Sequence, residues 1–364
     1  MIAVDVSVLE HEATGIAKST LGLYAACKKL QPDLDLVGIH RDGLKSNTDG
    51  VLRDVKVGHV LPRKLWRTLA VPSFCFRSKP EYVHFPWNGR VAPATFGATT
   101  ITTIHDVLPL SMPNYFSAEE EESRYRSKLR RDISRAAILI TDSEYSRSQI
   151  KKEFDILHEP VVIPLATSWK FRGGRDVSAQ DYFVYVGGYA ERKGLEILLE
   201  TFLEGRKLNQ LSSSLYLTGK PRFISDRFAG LLRQSIEAGI VFEKGYVEDD
   251  ELAEIVAGAK ALVYLSLYEG FGLPPLEAMT VGCPVVTTRG TSLPEVCGDA
   301  VIYVDPSDRR SVIAALREIE QNQSLREDLK AKGLERSTVF SWTKSAQMFL
   351  SLLNRKGRSR QRNE

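Results

Sequence analysis

The chain has 364 residues, beyond the size at which a single core usually keeps growing, so two domains are expected. With 43% hydrophobic and 26% charged residues it has the make-up of a globular protein and leaves little room for long disorder. Lys plus Arg exceeds Asp plus Glu by only three, 49 against 46, a field too mild for a nucleic-acid binder.

At the N-terminus, MIAVDVSVLEHEATG carries acids where a secretory signal needs a basic, apolar start. No later run approaches the roughly 20 apolar residues that span a bilayer, so a cytoplasmic protein is expected. Cys27, Cys75, Cys283 and Cys297 form no CxxC pair, which suits a reducing compartment and points away from zinc and disulfides. Short apolar runs alternate with amphipathic stretches: IAVDV, Gly15 to Leu30, LDLVGI, VKVGHV, a segment around Trp66, EYVHF, TTITTI, a charged stretch to Arg135, and AILITD. Such alternation predicts βαβ units on a parallel sheet. The stretch VIPLATSWKFRGGRDVSAQD has turn formers and no period, and is expected to connect two domains, 1–165 and 166–340. The second domain repeats the alternation: YFVYVG, Leu195 to Phe202, LYLTG, GIVFEKG, ALVYLS, PVVTT and VIYV. A last apolar-periodic helix, 341–364 with Met348, Leu352 and Leu353, is expected to pack back on the first domain and to end in the solvated basic tail RKGRSRQRNE.

In open α/β sheets, ligands bind beyond the carboxyl ends of the strands, and the unusual residues of this chain fall in such loops. DVSVLEHEATGIAK brings Gly15 to the start of a helix but lacks GxGxxG, which speaks against a nicotinamide dinucleotide. His105 and Asp106 follow TTITTI; a lone His is more often structural. In YFVYVGGYAERKGLEILLETF, Gly187 and Gly188 end a strand, and Arg192 and Lys193 precede a helix. Backbone N–H groups, the positive helix end and two cations can converge there on a diphosphate. In LVYLSLYEGFGLPPLEAM, a loop of Glu269, Gly270, Phe271 and Gly272 leads through Leu273 into a helix opened by Pro274 and Pro275, with Glu277 expected in its first turn. Loop glycines let backbone N–H groups approach a ligand, and Glu269 can accept from sugar hydroxyls. Read alone, Glu277 would only complement the helix dipole, and Ser292 in GTSLPEV would be a plain N-cap.

EGFGLPPLEAM, followed by GCPVVTT and SLPEV, resembles the E-x7-E pattern of family 4 of the retaining glycosyltransferases, and the likeness runs from about Asp5 to Pro306. The resemblance implies an α/β GT-B fold, two Rossmann-like domains whose parallel sheets face each other across a cleft. It implies a nucleotide-sugar donor, with Glu269, Gly270, Phe271, Gly272 and Leu273 on the sugar, Glu277 on the ribose, and Ser292 and Leu293 near the phosphates. RKG resembles the family's cation pair on the diphosphate and gives Arg192 and Lys193 the leaving-group charge. The Arg that many members carry after the first glycine is Gly188 here. HDVLPL resembles the family's His-Asp loop and puts His105 beside the donor sugar. Gly15 stands where the family has its glycine loop, and GYVEDDEL would set Tyr246 and Val247 beside the base.

No cofactor and no metal is expected, since no DxD-type motif lies in a strand-end loop of the second domain and Asp249 with Asp250 reads as a helix start. HDVLPLSMPNYF and VGGYAERKG are most similar to bacterial mannosyltransferases of surface-polysaccharide and lipopolysaccharide assembly. That likeness implies mannose from GDP-mannose, with glucose, galactose and rhamnose donors left open, and a saccharide or lipid-linked acceptor. Arg63, Lys64 and Arg67, with Arg124, Arg126, Lys128, Arg130 and Arg131, are candidates for contact with an anionic membrane surface on the inner face of the plasma membrane. An ordinary solvated helix face is the alternative. Two rival readings are a nucleotide-sugar epimerase on the same fold, and a non-catalytic protein that binds sugar or, through the basic tail, nucleic acid.

Overall fold

The computed structural model describes residues 1–10, 15–48, 50–88, 91–113, 115–171, 180–221 and 225–361, with the side chains of Lys64 and of 356–361 left aside. Residues 172–179 of the expected linker and the side chains of the basic tail beyond Arg355 lie outside the described residues. Contacts divide the chain into two units, Met1–Ala166 with Phe340–Glu364, and Thr167–Val339.

In the first unit the β-branched runs form β1 (Ile2–Asp5), β2 (Leu36–His40), β3 (Arg53–Lys56), β4 (Tyr82–Phe85), β5 (Thr99–Thr103), β6 (Ile138–Thr141) and β7 (Val161–Val162). They make a seven-stranded parallel sheet in the order β3-β2-β1-β4-β5-β6-β7. The β7 strand falls where a connection was expected; two residues are too few to show alternation. Helices Gly15–Leu30 and Trp342–Gln361 pack together, with the Trp342 indole laid on Gly22. Tyr24, Cys27, Ala346, Phe349, Leu350 and Leu353 share a core with Ile2, Val4 and Ile101 of the sheet. Met348, expected on the apolar stripe, is exposed instead, because the buried face runs through Ala346, Phe349, Leu350 and Leu353 at helical spacing. A second core gathers Trp66, Val71, Cys75 and Phe85.

The second unit holds β8 (Tyr182–Val186), β9 (Ser214–Thr218), β10 (Val241–Gly245), β11 (Leu262–Tyr264), β12 (Val285–Thr288) and β13 (Ile302–Val304). These are parallel, in the order β10-β9-β8-β11-β12-β13. Helix Leu195–Lys207 buries Leu195, Leu198, Leu199 and Phe202 against the sheet, as its spacing predicts. From β8 the chain winds one way to β9 and β10, and from β11 the other way to β12 and β13. The order therefore reverses between β8 and β11, the switch point at which open α/β sheets leave a crevice for ligands.

Candidate active site

Both sides of that switch point carry the expected residues. After β8, Glu191–Lys193 forms a single 3-10 turn, and Gly194 then caps helix Leu195–Lys207. Gly194 has φ +68, and a Cβ there would lie 2.1 Å from the Leu265 carbonyl oxygen. Only glycine lets the turn press so closely on the end of β11. The contact is completed by the Leu267 N–H, which donates to the Arg192 carbonyl at 2.7 Å.

After β11, Glu269 is buried, and its Oε1 collects four donors. Lys193 Nζ lies at 2.5 Å, Ser266 Oγ at 2.6 Å, Tyr264 Oη at 2.8 Å and Arg192 Nη1 at 3.1 Å. Lys193 also donates to the Tyr264 hydroxyl, and Arg192 Nη1 to the Tyr268 carbonyl at 2.8 Å. Burial pushes the Glu269 carboxyl up, but the Lys193 and Arg192 charges prevail and hold it below the ordinary carboxylate range. Burial and the neighbouring Glu269 charge raise the Tyr264 phenol well above its ordinary value, so it stays a neutral donor. No described residue bonds Oε2 of Glu269, so one carboxylate oxygen anchors two cations and the other keeps its acceptor capacity. Sequence reading placed Glu269 toward a sugar; it did not foresee its grip on Lys193 and Arg192.

The next residues are held by the loop after β12. Thr291 Oγ1 accepts from the Glu269 N–H at 3.2 Å. Ser292 Oγ lies 2.9 Å from the Glu269 carbonyl and 2.7 Å from that of Phe271, so its hydroxyl ties down the glycine loop and does not cap its own helix. Gly270, Phe271 and Gly272 are buried there, and Gly272, at φ +118, starts helix Leu273–Thr280 against Leu293. Glu277 is buried too, but as the fifth residue of that helix. Its expected place in the first turn is corrected, because the helix begins at Leu273, ahead of both prolines. Gly187 takes Thr218's carbonyl at 3.1 Å, and the Gly188 carbonyl accepts from Tyr185 Oη at 2.9 Å. Beyond β10, Tyr246 is 45% exposed with Lys220 Nζ 5.1 Å from its ring centroid, and Val247 is half-buried.

In the first unit Gly15 is exposed at the start of its helix, and the preceding loop, 11–14, lies outside the described residues. His105 follows β5 and meets Asp142, which follows the adjacent β6. Its Nδ1 donates to Asp142 Oδ2 at 2.7 Å and its Nε2 to the Pro86 carbonyl at 2.9 Å. Burial alone would lower its pKa, but the Asp142 charge and hydrogen bond, with the Pro86 carbonyl, raise it to about 9. Two acceptors and no donor make an imidazolium the form that fits. Asn88 completes the loop, accepting from the His105 N–H at 3.0 Å and donating to the Asp106 carbonyl at 2.6 Å. At the switch point of this sheet, after β1 and β4, buried Asp5 accepts from Ser7 and from Arg67 Nε at 3.1 Å. Asp5, Asn88, Asp142, Tyr264 and Ser266 were not singled out by sequence reading.

Two Rossmann-like units, each with a parallel sheet, make up the GT-B fold. Residues 170–336, which lie within the second unit, match the family described as "Glycosyl transferases group 1". Among its relatives, O-antigen chain mannosyltransferase B of Escherichia coli is 33% identical over 255 residues, 66% of this chain and 66% of that protein. The serotype-specific mannosyltransferase WbdA of Escherichia coli is 26% identical over 268 residues, 68% of this chain but 32% of that longer protein. In fold it is similar to sucrose-phosphate synthase from Thermosynechococcus elongatus, with a TM-score of 0.78 at 19% identity over 98% of this chain and 99% of that one.

Proposed function

We propose that the chain is a retaining, metal-independent glycosyltransferase. In this reading it moves a hexose, mannose from GDP-mannose, to a saccharide or lipid-linked saccharide in the assembly of a surface polysaccharide. The observation that carries it is the cation pair Arg192 and Lys193, gathered on Glu269 at the switch point and followed at once by a helix start. Departure of a nucleoside diphosphate develops negative charge, and preorganised cations with a positive helix end answer it without a metal ion. The buried loop Gly270–Gly272 and Oε2 of Glu269 would hold the pyranose. Relatives that are mannosyltransferases of O-antigen chains support the sugar and the kind of acceptor.

The test is transfer itself. Labelled GDP-mannose should yield a glycosylated acceptor and not a free isomerised sugar, the epimerase outcome. Lys193→Ala should lower turnover by roughly tenfold to a thousandfold, the usual loss for one charge-stabilising donor. Unchanged turnover removes Lys193 from the chemistry, and activity lost in chelator but restored by magnesium or manganese ends the metal-independent reading.

A further inference from the structure

The four donors on Oε1 of Glu269 are of two kinds. Lys193 and Arg192 bring charge on long side chains from the turn after β8, and the Arg192 side chain is 29% exposed. Tyr264 and Ser266 bring hydroxyls from the end of β11, and both residues are fully buried. The Tyr264 hydroxyl stands between opposite charges, with Lys193 Nζ on one side and Glu269 Oε1, at 2.8 Å, on the other. An ammonium can only donate and a carboxylate can only accept, so this hydroxyl accepts from Lys193 and directs its own proton to Glu269. Its ring is fixed as well. Tyr264 stacks beside Tyr185 of β8, 6.4 Å between centroids and 26° between planes, and Lys193 Nζ lies 4.9 Å from the Tyr264 centroid.

A buried carboxylate stays charged only while its neighbours answer that charge. In the transfer reading the two cations have a second duty, because a nucleoside diphosphate draws the same ammonium and guanidinium toward itself. Glu269 then depends on donors that carry no charge and cannot turn to the phosphates. Tyr264 and Ser266 are such donors, buried and two residues apart on one face of the strand end. Among the described residues, the charged and titratable groups facing Glu269 are Lys193 and Arg192 from the turn, Tyr185 from β8 and Tyr264 itself. The loop after β12 adds the Thr291 and Ser292 hydroxyls, which bond the Glu269 N–H and carbonyl. We propose that Tyr264 is a positioning residue of the transfer reaction, whose hydroxyl holds the Glu269 carboxylate in place, with Oε2 toward the sugar, when Lys193 and Arg192 turn to the diphosphate. The proposal rests on the glycosyl-transfer reading above.

Tyr264→Phe keeps the ring and its stack and removes only the hydroxyl. Tyr182→Phe is the matched control, since it removes a hydroxyl bonded at 2.8 Å to the Ile255 carbonyl at the other end of β8. Carboxyl carbon-13 NMR of the full chain labelled at Glu, with Glu269 assigned through Glu269→Gln, reads the ionisation with and without GDP from about pH 3.5 upward. Loss of a hydrogen bond to the charged form raises a carboxyl. In Tyr264→Phe the Glu269 midpoint should therefore move up by about one pH unit in the GDP complex, and by less without GDP, where the cations still answer it. Initial rates of mannose transfer should show the acid limb of kcat moving the same way, with kcat about tenfold lower and KM for GDP-mannose within about twofold. Tyr182→Phe should move neither midpoint nor limb. An unmoved midpoint in Tyr264→Phe overturns the proposal, and so does a lower kcat whose limb stays in place, the mark of a merely structural hydroxyl. Failure of the donor reading looks different: the parent would bind neither GDP nor UDP, or would transfer no sugar while Tyr264→Phe still moved the Glu269 midpoint.

Discussion

His105 and Asp142 come from the ends of neighbouring strands, and their pairing makes a prediction about pH. His105 has a folded pKa of about 9, above the roughly 6.5 of a free imidazole. The stabilisation is therefore fully present below about pH 6.5 and is lost as pH rises through about 9. At pH 7 it amounts to about 3 kcal/mol. Urea unfolding of Asp142→Asn should show a gap from the parent that is widest below about pH 6.5, narrows as the pH rises and closes above about pH 9; a gap constant across that range rules the pairing out as its source. The same residues show what a sequence can reveal. Lys193 and Glu269 were legible because each sits in a local string whose residue types suit a diphosphate and a sugar. Asp142 was not, since only the β5-β6 pairing brings it to His105, and sheet order is not written locally. Tyr264 and Ser266 offered a fainter signal: two apart at a strand end, they share a face, and both reach Glu269.

At the scale of elements, the alternation of apolar runs and helical periods anticipated nearly every strand, while the two-residue β7 and the exact face of helix Trp342–Gln361 escaped it. Short edge strands carry no period, and a helix with mixed apolar positions leaves its buried stripe to be chosen by its partner, here helix Gly15–Leu30. The joint that matters most for the site is Gly194, where the turn bearing Arg192 and Lys193 meets the end of β11. An alanine there must adopt a left-handed conformation and also push its Cβ into the Leu265 carbonyl. Left-handed strain alone costs about 1–3 kcal/mol, and a backbone atom cannot step aside as a flexible side chain can. Gly194→Ala is expected to destabilise the second unit by at least about 2 kcal/mol and to weaken nucleoside diphosphate binding together with it. Denaturant melts unchanged within about 0.5 kcal/mol would contradict this account of the joint.

At the scale of the whole molecule, the proposed lipid-linked acceptor would bring the protein surface to a membrane. No helix among the described residues is long and apolar enough to cross a membrane. The cations first considered for it are mostly engaged. Arg67 is bound to Asp5 and Ser7, Arg126 pairs with Glu122 and Glu153, and the helix Glu119–Arg135 opens with four acids. A better surface lies along residues 60–96 of the first unit. Val60 is 81% exposed, Phe76 63% and Phe96 55%, and the two phenyl rings touch each other at 5.4 Å between centroids. Leu65 and Leu69 are exposed on the same run of helix, with Arg77 and Lys79 exposed nearby. Large apolar side chains left together in water, rimmed by cations, favour shallow insertion beside anionic head groups, and each Lys or Arg near such a surface adds about 1 kcal/mol. Flotation with vesicles containing phosphatidylglycerol should therefore recover the protein, and pure phosphatidylcholine vesicles should recover much less. Replacing both Leu69 and Phe76 by Glu should cut recovery at least about tenfold, since it removes apolar area and adds repulsion to the lipid charge. GDP affinity should not change, because both side chains lie in the unit that does not hold Arg192 and Lys193. Equal flotation of parent and variant, or flotation indifferent to lipid charge, would show that this face does not meet a membrane.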